Sequence, residues 1–235
     1  MALINASITL RVFARLLSYP DPKLRSQLGD MRVALQADKA ASPTRLAELD
    51  TLITNLERGN ALEVEAQYVE LFDRGRATSL HLFEHVHGDS RDRGPAMIDL
   101  AQTYEKAGLF LAPDEMPDYL PVVLEFVSTQ PPKEARAFLN EMAHIFNAIF
   151  NALQQRGSAY ASVLGALIEL AGEKAHAVKV VADEPIDAAW EEPVVFDGCS
   201  TKGQAKPGAV QPIHFVKNEA AHAGAKVAAS TGVSP

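Results

Sequence analysis

Residues Lys133–Arg156 read KEARAFLNEMAHIFNAIFNALQQR. Phe138, Met142, Ile145, Ile149 and Leu153 recur three or four positions apart along this run. That is the period of one apolar face on an α-helix, with polar side chains filling the opposite face. Pro131 and Pro132 precede the run, and Gly157 and Ser158 follow it. The spacing predicts a continuous helix over 133–156, the longest in the chain, and it makes helices the material of the fold.

The same period extends outward in both directions. Ile8, Val12, Leu16 and Tyr19 mark the inward face of a first helix, which Pro20 ends. Asp21 then offers an N-cap oxygen and Pro22 suits the first helical position. Leu24, Leu28, Met31 and Leu35 stripe a second helix. Ser42 and Pro43 repeat the start signal for a third, carrying Leu46, Leu49, Ile53 and Leu56. Gly59 is expected to close it in a left-handed cap. Asn60 with Glu63 resembles a capping box opening a helix through Phe72. A short helix is predicted within 79–86. Another is expected over 95–106, with Met97, Leu100, Ala101 and Tyr104 inward and Gly108 as its stop. The stretch APDEMPDYLP is loop-like, with Pro117 and Asp118 expected to start a helix bearing Leu120, Val123, Leu124 and Val127. A last helix is predicted from Tyr160 to Val180.

After Val181 the helical period disappears. Residues 182–235 scatter Gly, Pro, Ala, Ser and Lys, a composition that buries too little apolar area to offset chain entropy. One apolar and acidic island, Ala189–Phe196 (AWEEPVVF), is a possible docking segment. The expectation is an all-α protein: a single bundle of about eight to ten helices over 1–181, with a flexible C-terminal tail over 182–235.

The chain has 235 residues, a formal net charge of -8 and a pI near 5.4. An acidic surface argues against nucleic acid as the main partner, because phosphate binding needs cations. The single cysteine, Cys199, excludes an internal disulfide. Arg11 and Arg15 interrupt the mildly apolar N-terminus, and no apolar run approaches the ~20 residues a bilayer demands. No secretory signal pattern is present, so a reducing, cytoplasmic location is expected.

Chemistry-bearing residues concentrate in one segment, DRGRATSLHLFEHVHGDSRDRG (73–94). His81 and His85 are four apart and His87 follows, so a metal-dependent hydrolase is one reading. The order His-Leu-Phe-Glu-His-Val-His is not the His-Glu-x-x-His of zinc hydrolases, however. Cys199 lies among acidic neighbours with no fixed base, which does not favour a reactive thiolate. Glu63 with Glu65 and Glu191 with Glu192 point apart rather than together on a helix. No phosphate-binding glycine loop occurs. Arg74, Arg76, Arg91 and Arg93 are expected in ion pairs with Asp73, Glu84, Asp89 and Asp92. No catalytic set, metal site or cofactor site is composed.

The runs Gln67–Leu80 (QYVELFDRGRATSL) and Leu82–Gly94 (LFEHVHGDSRDRG) closely resemble the nitrate reductase molybdenum cofactor assembly chaperones, or delta subunits. Arg15–Pro20 (RLLSYP), Met116–Pro121 (MPDYLP), Leu124–Phe126 (LEF) and Ala189–Glu192 (AWEE) match as well. The resemblance covers roughly 8–196, and nothing after Phe196 is placed by it. It implies the all-α fold of redox-enzyme maturation chaperones and no enzymatic activity. It implies binding to the apo catalytic (alpha) subunit of membrane-bound nitrate reductase, support for cofactor insertion, and delayed membrane docking. The alternative of a permanent scaffold subunit is set against it.

The resemblance places the functional region on three stretches. These are the helix with Tyr68, Leu71 and Phe72; the loop with Asp73, Arg74, Phe83, Glu84, His85, His87 and Asp89; and the start at Pro117 and Asp118, with Leu120, Leu124 and Glu125. An apolar groove is expected to receive the N-terminal segment of the client as an amphipathic helix; Leu71, Phe72, Leu82, Phe83, Leu120, Leu124 and Phe126 are candidates for its lining, and plain core is the commoner role of each such residue taken alone. Net acidity suits a client segment rich in Lys or Arg, and His85 and His87 are expected to make that binding pH-sensitive, histidine being the side chain suited to such a switch.

Overall fold

A computed structural model describes residues 5–88 and 90–178. The expected tail, its segment at 189–196, the domain limit at 181/182 and Asp89 lie outside the described residues. Within them the chain forms α1 (Ser7–Leu16), α2 (Pro22–Ser26), α3 (Leu28–Asp38), α4 (Pro43–Arg58) and α5 (Ala61–Phe72). A 3-10 turn (Arg76–Thr78) follows, then α6 (Leu82–Val86), α7 (Arg93–Lys106) and α8 (Leu120–Thr129). The series ends with α9 (Pro132–Glu141), α10 (Ala143–Gln155) and α11 (Ala161–Ala171). The fold is all-helical, and among the described residues no helix is long and apolar enough to cross a membrane.

The start signals act as read. Asp21 accepts from the Leu24 N–H at 2.6 Å, and Ser42 accepts from the Arg45 N–H, each with proline entering the first turn. Asn60 caps α5 through the Leu62 N–H. The second stripe is two helices, since Gln27 separates α2 from α3, yet Leu24, Leu28, Met31 and Leu35 are all buried.

Helix α11 is the centre. From Ala161 to Ile168 every residue is buried, and α4, α9 and α10 pack around it. A second layer forms where α1 lies along α8 and also meets α3. Phe13, Phe146, Leu124, Leu153 and Leu164 are fully enclosed where these layers meet.

Several expectations are corrected. The inward face of α1 is Leu10, Val12, Phe13, Leu16 and Leu17, while Ile8 is 52% and Tyr19 44% exposed. The stripe drifts because the buried arc is wider than a strict i, i+4 row. The 133–156 helix is broken at Met142, whose carbonyl takes the Ile145 N–H at 2.9 Å in a tighter turn. The break separates α9 from α10, and both pack on α11. The last helix ends at Ala171, well short of Val180. Gly172 is left-handed (φ 89) there, and the Glu173 N–H returns to the Ile168 carbonyl at 3.0 Å, a Schellman closure.

Gly59 is extended (φ -65), not left-handed. Glycine is needed for space: a Cβ there would stand 2.5 Å from Val64 Cγ2 and 2.9 Å from the Asn55 carbonyl. Gly59→Ala is therefore expected to destabilise the chain by about 1–3 kcal/mol in urea unfolding. Gly29→Ala, in α3 with nothing within 4 Å of the added carbon, should stabilise by about 0.5–1 kcal/mol. Equal effects at the two sites would contradict this packing.

Candidate functional site

The two motif stretches meet through backbone. The Leu120 N–H donates to the Leu80 carbonyl at 2.8 Å, and the Leu82 N–H donates to the Asp118 carbonyl at 3.0 Å. These bonds form an isolated antiparallel bridge between His81 and Tyr119. Pro117 and Asp118 thus do not start a helix; α8 begins at Leu120 with Pro121 in its first turn. A turn over Pro117 and Asp118, closed by the Tyr119 N–H on the Met116 carbonyl at 3.1 Å, delivers the chain to the bridge.

Asp118 is the pivot. It is fully buried, and its Oδ2 accepts the Phe83 N–H at 3.2 Å, at the start of α6. Its Oδ1 lies 3.3 Å from His81 Nδ1. Arg93 Nη2 stands 3.8 Å from Asp118 Oδ2 and 3.5 Å from Glu84 Oε1. A buried carboxylate is tolerable only with partners of this kind. The Asp118 carboxylate raises the His81 imidazole above its ordinary range; burial and Arg93 oppose that shift, and Glu84 adds to it.

The remaining histidines turn elsewhere. His85 Nε2 is 2.9 Å from the Ser79 carbonyl, and His87 stands edge-on to Phe83. Among the described residues no three His, Cys, Asp or Glu side chains gather to hold a metal. The hydrolase reading therefore has no geometric support in the cluster that suggested it. Of the expected ion pairs, Arg93 with Glu84 forms, while Arg74 pairs with Glu70, one turn back on α5, at 3.1 Å.

On α5, Tyr68 and Phe72 face inward and Leu71 is half-buried. The Tyr68 hydroxyl donates to the Leu17 carbonyl at 2.7 Å and lies 3.1 Å from the Tyr119 hydroxyl. Burial, first, raises the Tyr68 phenol, so it stays protonated as a donor. Tyr68, Phe72 and Tyr160 pack as one aromatic cluster, with Tyr19 edge-on to Tyr68 from outside. The Thr78 hydroxyl donates to the Leu71 carbonyl and fixes the turn after α5.

The expected groove lining is corrected accordingly. Leu82, Leu120 and Leu124 are core, and Phe72 belongs to the aromatic cluster. Open apolar concavity lies on either side instead. One groove, of about 570 Å³, runs along the outer face of α5 between Tyr19, Leu62, Val69 and Arg74. Another, of about 410 Å³, lies between α1, the 109–115 turn and α8. Leu109, Phe110, Leu111 and Val122 supply its apolar walls, Phe126 its floor, and Arg11, Arg15, Glu115 and Glu125 its rim. Phe110 is 80% exposed. Of the expected residues that the structure describes, Arg74 borders the first groove, and Glu125 and Phe126 border the second. Phe110 and Val122 were missed because the first falls in a loop and the second sits between core positions of α8.

The fold is similar to that of a solved structure from Archaeoglobus fulgidus, described as a putative redox enzyme maturation protein, which superposes with a TM-score of 0.50, covering 71% of this chain and 94% of that one at 21% identity. The chain belongs to the nitrate reductase delta subunit family, whose model matches residues 35–165. The nitrate reductase molybdenum cofactor assembly chaperone NarJ of Escherichia coli K12 is 43% identical over 195 residues, spanning 79% of this chain and 83% of that protein. NarW of the same strain is 37% identical over 193 residues, covering 78% and 80%.

Asp118→Ala should cost about 2 kcal/mol, because it leaves the Phe83 N–H without its charged acceptor. The His81 contribution carries a pH signature. Protonated His81 is favoured in the folded chain, so its stabilisation is complete below the unfolded value of about 6.5. It is lost as pH rises through the raised folded value. The stability advantage of the wild type over His81→Gln is expected to be larger at pH 6 than at pH 8.5 in urea titrations. An advantage that grew with pH would refute the pairing.

Proposed function

We propose that this chain is a cytoplasmic, non-catalytic assembly chaperone for a membrane-bound nitrate reductase. It binds the immature catalytic subunit, supports insertion of the molybdenum cofactor and delays membrane docking, and it leaves before the enzyme is finished. The observation that carries this reading is membership of the delta subunit family, with 43% identity to a named assembly chaperone over most of both chains.

The client segment is proposed to bind as an amphipathic helix whose apolar face enters the groove between α1, the 109–115 turn and α8. Val122, Glu125, Phe126 and Thr129 recur at helical spacing along the groove side of α8, and the opposite side of that helix is sealed core. Arg11 donates to Ser128 Oγ, and Arg15 stands 3.6 Å from Asp21. Those cations are engaged within the fold. Glu125, which makes no ion pair among the described residues, is then the rim charge for a Lys or Arg of the client, in keeping with the net charge of -8. The motif residues around Asp118 act behind this surface, by fixing where α8 begins.

Calorimetry of the full chain with a synthetic peptide of the client N-terminal segment, between pH 5.5 and 8, should give a micromolar Kd, or about -8 kcal/mol. Val122→Asp should weaken it at least tenfold, roughly the effect of placing a charge in an apolar contact. No heat at any pH with the wild-type chain would remove the groove from the mechanism.

A further inference from the structure

Helix α7 is held differently from every other long helix. Of its residues only Tyr104 is buried, and Ile98 is exposed. Its two ends are fastened to adjacent residues of one dipeptide. At the start, the Arg93 guanidinium lies between Glu84 and the buried Asp118. At the end, the Tyr104 hydroxyl donates to the Pro117 carbonyl at 2.8 Å, and its ring packs on Phe126 with centroids 4.7 Å apart. Burial raises the Tyr104 phenol, consistent with a protonated donor. Beyond both ends the backbone takes left-handed glycines, Gly88 and Gly108, with open space where a side chain would be.

The turn after α7 carries Leu109, Phe110 and Leu111, the outer wall of the α8 groove. The Leu109 N–H is tied to the Tyr104 carbonyl at 3.0 Å, so wall and helix end move together. We propose that α7 is a latched strap, and that Arg93 and Tyr104 are positioning residues which hold the groove wall against α8. This rests on the groove assigned above to the client. With both latches closed the wall is pre-set and binding loses little ordering entropy. With a latch broken, the strap swings about its glycine ends and the groove loses its shape.

The test is hydrogen exchange by mass spectrometry on the full chain, comparing wild type with Tyr104→Phe and Arg93→Gln, together with calorimetry against the client peptide. Tyr104→Phe keeps the ring against Phe126 and removes only the hydroxyl bond, so folding is retained. Exchange in 95–111 should quicken roughly fivefold, as expected for loss of one buried hydrogen bond, while α10 and α11 stay as slow as in wild type. Peptide affinity should fall about three- to tenfold in both variants. Unchanged exchange over 95–111, or quickening spread evenly over all helices, would overturn the latch. Local quickening with wild-type peptide affinity would overturn its positioning role. A wild-type chain that bound no peptide would instead fail the client reading, and the exchange data would still decide the latch.

Discussion

Helix α11 presents almost no polar face to water, and that single fact constrains the rest. A helix apolar all round must be surrounded. Here α4, α9 and α10 provide the enclosure, with the α1–α8 pair layered beyond. Arg45 on α4 ties the arrangement from outside: its guanidinium meets Glu169 at 2.9 Å and Glu48 at 2.6 Å and lies over the Phe150 ring. Once α11 is enclosed, the outer faces of α1, α5 and α8 are among those left open to solvent. The grooves lie on those faces because the core has no further claim on them.

Asp118 performs the corresponding task on the motif side of the molecule. An ionised carboxylate without solvent is costly unless its oxygens are occupied. Here it receives the first turn of α6, the His81 ring and the approach of Arg93. Those partners come from positions far apart in sequence, so one side chain sets the register between 79–94 and 117–121. The cost of burying the charge is offset by specificity: a shifted register would strand the carboxylate.

The fold class was legible because helical period and caps are local signals. Asp21–Pro22 and Ser42–Pro43 opened helices where their chemistry said they would. What failed were inferences needing tertiary knowledge. Met142 sits within an unbroken apolar stripe, so the local pattern carries no sign of the break that divides α9 from α10 where both pack on α11. Pro117–Asp118 carries a sound helix-start signature, yet the aspartate side chain serves α6 in place of α8. Of the candidate site, the motif stretches are brought together at Asp118, which meets His81, Phe83 and Arg93, whereas Leu120 and Leu124, for which contact surface and core were both open readings, are core. Sequence period states that a face is apolar; it does not state whether the same chain or another one covers it.

That distinction bears on how such a protein lets go. A groove formed by four or five apolar side chains on an exposed face gives a helix only partial burial. Covering ~500 Å² of apolar surface at ~25 cal/mol per Å² supplies about 12 kcal/mol. Association and side-chain ordering remove at least ~4 kcal/mol of it. What is left is close to micromolar binding. Had Leu82, Leu120, Leu124 and Phe72 formed the contact surface, the buried area would rise steeply, and so would the residence time. Those side chains are committed to the interior, which leaves, for the client segment proposed to bind here, a shallow surface that favours release. Rigidity in the frame and modest affinity at the groove therefore come from the same allocation of apolar residues.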